Sequence, residues 1–174
     1  YTAALADYPT NKTVTITNVP AGANCTVVED TPLPTAPANY EWAAPTVPAP
    51  VVVPATGAVA VGVTNALKGL EGNILVNATT TLPDGITGPF SFVLTATCDL
   101  PTAGTVHSVT LTAPPGATAT ITGVQAGAQC TITETLPNAP VGYHWADPEF
   151  DQATVTVAFG SDVSVALTNS LTRS

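Results

Sequence analysis

Methionine is absent from this chain, and lysine and arginine together number only 3, against 12 aspartates and glutamates. Charged residues make up 9% of the sequence, where an average soluble domain carries about 25%. With a formal net charge of −9, there is little to neutralise a row of phosphates, so neither nucleic acid nor an anionic membrane surface is expected as a partner. Long hydrophobic runs are missing too. No stretch approaches the roughly 18 apolar residues of a membrane span, so no membrane insertion is expected in this segment. The N-terminus has no basic region leading into an apolar core, so no signal peptide is read there. There are no CxxC pairs and only 2 histidines, which argues against a metal site. A nucleophile elbow, a phosphate-binding loop and paired carboxylates in an acid–base setting are also lacking, so no catalytic residue and no cofactor are expected. The acidic run Asp147, Glu149 and Asp151 has no glycine turn and no ordered register of ligands, and reads as a solvated loop rather than a calcium site.

What the chain does have is threonine and valine in quantity, punctuated by 17 prolines and 13 glycines. That combination reads as all-β with many turns. It also has an internal repeat. Residues 13–32 read TVTITNVPAGANCTVVEDTP and residues 118–137 read TATITGVQAGAQCTITETLP. Each copy looks like an alternating strand, an Ala-Gly-Ala turn, and a second strand carrying a Cys and a Glu. Cys25 thus matches Cys130, and Glu29 matches Glu134. Tyr40 and Trp42 recur as Tyr143 and Trp145, and Asn65 recurs as Asn169. The period is roughly one hundred residues, the signature of a tandem array.

The expected layout is a partial repeat at residues 1–67, a Gly- and charge-containing linker at 68–73, and a complete repeat at 74–174. Strands are expected near residues 2–6, at 50–54 and at 58–67, where Val59, Val61 and Val63 alternate with small residues as if one face were buried. In the second repeat, Phe90, Phe92, Leu94, Ala96 and Cys98 share one face of a strand. About seven short strands per hundred residues are the expectation for an immunoglobulin-like β-sandwich.

Cys98 and Cys130 fall on apolar strand faces of one repeat. In an extracellular sandwich such a pair is most simply an inter-strand disulfide closing about thirty residues; the alternative is two reduced core thiols. Cys25 has no partner in its own repeat, because the counterpart of residues 68–105 is lacking there. The first repeat is therefore expected to take a strand from a neighbouring copy or a preceding segment, with Cys25 facing that gap as an unpaired or interchain thiol. Glu134 shares parity with Cys130 and Ile132, and Asn169 with Val163, Val165 and Leu167. Both should point inward and must pair, since unpaired burial of polar groups costs a few kcal/mol. Glu29 and Asn65 repeat the arrangement.

The segments PFSFVLTATC, GAQCTITET, GYHWADPEF and VALTNSL resemble an Ig-like repeat of Gram-positive, actinobacterial-type surface proteins, similar to the B-type stalk domains of collagen adhesins and to sortase-assembled pilins. The resemblance implies a non-enzymatic repeat of an extracellular stalk, pilus or filament on a bacterial cell wall. In pilin-type domains a first-strand Lys joins a last-strand Asn in an isopeptide bond promoted by a buried Glu. Glu134 and Asn169, like Glu29 and Asn65, match that Glu and Asn. The Lys does not recur: Asn77 stands near its place, and Lys12 and Lys68 lie in a turn and in the linker. No isopeptide bond is expected in the second repeat. A second reading is an adhesive module in which Tyr40, Trp42, Tyr143 and Trp145 contact carbohydrate or a host protein, against the alternative that these rings pack between sheets.

Overall fold

The computed structural model describes residues 1–2, 13–30, 32–46, 48–113 and 117–174. The chain is all-β, with no helix among the described residues. It divides into two compact units, one formed by Tyr1–Thr35 and Trp42–Leu67, the other by Ala36–Glu41 and Lys68–Ser174.

The larger unit is a two-sheet sandwich. One sheet is built from β5 (Glu71–Thr81), β8 (Ala117–Gln125), β10 (Tyr143–Trp145) and β13 (Asp162–Arg173), with β11 (Glu149–Phe150) also on β13. The other runs in the order β12 (Thr154–Thr156), β9 (Gln129–Thr135), β6 (Phe90–Cys98) and β7 (Thr105–Ala113). Strict alternation in the sequence sets the faces. Along β5, Ile74, Val76, Ala78 and Thr80 turn inward; along β13, Val165, Leu167, Asn169 and Leu171 do. Phe92, Leu94 and Ile132 meet them from the facing sheet in a single apolar core. Each such side chain contributes about 1.5–3 kcal/mol through removal from water. The first and last long strands, β5 and β13, lie side by side and parallel, in register from Asn73↔Asp162 to Thr81↔Ser170.

The smaller unit contains β1 (Asn24–Cys25) paired with β3 (Val51–Val52) and a bridge between Thr46 and Thr64. Most of β2 (Tyr40–Trp42) and of its partner β4 (Leu67–Gly69) belongs to the larger unit. The repeat is visible in its hydrogen bonds. Gly22 N donates to Val53 O at 2.9 Å and Val53 N to Ala23 O at 2.9 Å; Gly127 N donates to Val157 O at 2.7 Å and Val157 N to Ala128 O at 3.0 Å. The Ala-Gly-Ala turn needs its glycine in both copies, with φ of 81° at Gly22 and 85° at Gly127, a conformation that L side chains rarely adopt.

Four expectations are corrected. Residues 58–66 carry no strand beyond the Thr64 bridge, and Val59 and Val63 are exposed rather than lining a buried face. The matching segment of the larger unit is β13, which has partners on both sides; alternation without a neighbouring ladder does not make a strand. The first copy of the hairpin likewise keeps only Asn24–Cys25 as strand. Residues 68–73 are not a loose linker: β4 and the start of β5 occupy them, because Leu70 N donates to Asn39 O and Glu71 pairs with Gln125. Asn77 does not stand beside Asn169; the parallel register puts Thr80 there and leaves Asn77 bonded to Ser164 Oγ at 2.8 Å. The strand expected near residues 2–6 and the turn lysine, Lys12, lie outside the described residues.

Candidate functional site

Three polar residues in the interior of the larger unit come from three different strands. Asn169 sits on β13 with 0% exposure, surrounded by Val165, Leu167 and Leu171 on the same inward face. Its side-chain amide donates to Glu134 Oε1 at 3.0 Å. Glu134 belongs to β9 in the facing sheet, opposite Leu94 on β6. The bond therefore spans the sandwich. Burial of the Glu134 carboxyl pushes its pKa above the ordinary carboxylate range, and the hydrogen bond from Asn169 offsets only part of that rise.

Beside Asn169 on β5 lies Thr80, 4% exposed and on the same inner face. Thr80 Oγ1, Asn169 Oδ1 and Glu134 Oε2 are all buried, and none has a hydrogen-bond partner among the described residues. Sequence reasoning passed over Thr80, one of three consecutive threonines. The signal that could have found it is parity, since it follows Ile74, Val76 and Ala78 in steps of two.

Cys98 and Cys130 form a disulfide, with Cα atoms 4.0 Å apart. They are direct cross-strand partners on β6 and β9, both on the inward face. Glu134 is four residues along β9 from Cys130, so the disulfide and the Glu–Asn bond follow one another along the same strand.

In the smaller unit, Asn65 Nδ2 donates to Glu29 Oε1 at 2.6 Å, the same pairing one repeat earlier. Cys25 is a free thiol, half-buried, with Sγ 4.0 Å from Ala23 O. A shallow groove lined by Val27, Val28, Glu29, Pro45, Thr46 and Val63 runs beside this pair.

The repeated aromatics serve different contacts. Trp145 packs edge-on against Phe90 and Phe92, with centroids 5.2 and 5.1 Å away. Arg173 lies over the Tyr143 ring at 5.8 Å. Tyr40 OH accepts from Gln125 Nε2 at 2.8 Å, and Trp42 Nε1 donates to Pro34 O at 2.6 Å. Asp151 accepts backbone N–H bonds from Ala166 and Gln152, each at 2.8 Å, so its carboxylate caps a loop. No group of three metal-ligating side chains occurs among the described residues.

Fold and site together define an immunoglobulin-like β-sandwich repeat with a disulfide and a Glu–Asn tie between its sheets. The chain belongs to the family described as "Domain of unknown function (DUF5979)", which it matches over residues 3–68 and 75–172. No curated protein matches it. Among solved structures it is similar to a bacterial adhesin from Mobiluncus mulieris containing intramolecular disulfide, isopeptide and ester bond cross-links. One crystal form of that adhesin aligns at 19% identity and a TM-score of 0.40, over 62% of this chain and 44% of the adhesin. A second form aligns at 19% identity and 0.37, over 72% and 48%. A pilus-presented adhesin, Spy0125 (Cpa), aligns at 19% identity and 0.32, over 57% and 26%. The chain thus spans less than half of the solved proteins it matches.

Proposed function

We propose that this chain is a load-bearing, non-enzymatic repeat of an extracellular stalk or filament on a bacterial surface. The observation that carries the reading is the parallel pairing of β5 with β13. Tension applied at the start of β5 and the end of β13 loads that whole ladder in shear. The inter-strand bonds must then yield together rather than peel one by one. The disulfide and the Glu134–Asn169 bond support the same reading, because they hold the core strands when the ladder is strained. A disulfide also suits an oxidising, extracellular setting.

The partner we infer is another copy or a neighbouring repeat that adds a strand to the smaller unit. Support comes from its exposed apolar side chains: Val28 is 72% and Val52 60% exposed, and Val59 and Val63 are exposed as well. Edges of this kind favour β-strand addition. The aromatic-tip reading, in which carbohydrate or host protein is bound, has less behind it, since Trp145 is engaged by Phe90 and Phe92.

Single-molecule pulling tests the proposal. Handles at Asn73 and Arg173 load the β5–β13 ladder in shear, whereas handles at Thr81 and Arg173 peel it from one end. A rupture force several-fold higher in shear is expected. Equal forces in the two geometries would remove the basis of the load-bearing role.

A further inference from the structure

We propose that Thr80 and Asn169 become joined by an intramolecular ester between β5 and β13, formed with release of ammonia and assisted by Glu134. Thr80 and Asn169 are register partners on adjacent parallel strands, which lie about 4.8 Å apart in the pairing direction. Their side chains leave the same inner face, at 4% and 0% exposure. The nucleophile and the amide carbonyl are thus held together without a hydrogen-bond partner for Thr80 Oγ1 or Asn169 Oδ1 among the described residues. Held side by side, two groups react as if at very high concentration, and a dry site keeps water from competing for the carbonyl.

In the reaction Thr80 Oγ1 attacks Asn169 Cγ, and the Cγ–Nδ2 bond breaks. The hydroxyl proton passes to the Glu134 carboxylate and from there to the departing nitrogen, which already donates to Glu134 Oε1 at 3.0 Å. One ester forms, one amide is lost, ammonia leaves, and Glu134 returns to its starting state. No electron changes hands. Burial raises the Glu134 pKa, which makes its carboxylate a better acceptor for the proton in transit. The bond is a property of the folded unit, so its absence would leave the stalk reading standing, and failure of that reading would leave the bond standing.

Intact mass of the full chain, measured after reduction of Cys98–Cys130, is expected to fall one ammonia below the sequence mass. A peptide map should show a branched species uniting the segments of Thr80 and Asn169, opened by alkaline hydroxylamine. Thr80→Val and Glu134→Gln should each restore the full mass while the Cys98–Cys130 disulfide and the β-rich circular dichroism persist. If Thr80→Val does not fold, the map of the unaltered protein decides alone. Full mass in folded protein overturns the proposal. So does a deficit carried by an unbranched peptide, by a lysine branch, or by folded Thr80→Val.

Discussion

Cys98 and Cys130 face each other directly across β6 and β9, so their disulfide ties two neighbours within one sheet and leaves the sheet-to-sheet tie to Glu134 and Asn169. In antibody domains the conserved disulfide instead runs between the sheets. The bond spans a sequence separation of 32, for which the chain-entropy model gives about 4 kcal/mol. Reduction, or Cys98→Ala with Cys130→Ala, should therefore lower the stability of the larger unit by up to about 4 kcal/mol. Chemical denaturation with and without reductant measures it. An unchanged midpoint would show that β6 and β9 are already held in register by packing.

Glu134 should make stability depend on pH in a particular direction. Its folded pKa is raised by burial, so the folded state holds the proton more tightly than the unfolded chain. Stability is then greatest below the unfolded value of about 4.3 and declines as pH rises toward the raised folded value. Glu134→Gln should flatten this segment of the pH–stability curve. Denaturation midpoints at a series of pH values compare the two slopes, and equal slopes would place the dependence elsewhere.

Asn169→Ala should destabilise the larger unit by about 1–3 kcal/mol, because it leaves the half-buried Glu134 carboxyl without its partner. Asn169→Ala combined with Glu134→Leu should recover part of the loss, since removing both polar partners is less costly than removing one. Thermal unfolding of the single and double variants forms the cycle.

Gly72→Ala should be costly although alanine is a mild change elsewhere. A Cβ at this position would overlap the Ala158 carbonyl oxygen, where β5 makes a register shift against β8. Overpacking against backbone costs about 1–3 kcal/mol. Gly104→Ala offers a control, with open space around the new methyl group but strained backbone at φ 87°. If Gly72→Ala melts no lower than the parent protein, the backbone at Ala158 yields to the new methyl group and the close approach is not costly.

Trp145→Ala removes the ring that stacks edge-on against Phe90 and Phe92. Aromatic truncations in cores cost about 3–5 kcal/mol, and a half-buried ring should fall at the low end. A melting temperature within a degree of the parent would show the ring to be peripheral and would revive a binding role for it.

Much of this molecule was legible in the sequence, because alternation with a period of two assigns each side chain to a face. Parity alone put Cys98, Cys130, Glu134 and Asn169 on inward faces, and the matching segments announced two repeats. Alternation does not name a strand's neighbour. The parallel register of β5 and β13 brings Thr80, rather than Asn77, beside Asn169. The same kind of alternating valine pattern becomes strand at Val163 and Val165 but not at Val59 and Val61. In the first case the β5 ladder runs along one edge and Asp151 and Gln152 bond to the backbone of the other; in the second, among the described residues, only a bridge at Thr64 is formed. Face is a local property of the chain, whereas pairing joins residues far apart in it, so only the tertiary structure could decide which polar groups meet in the core.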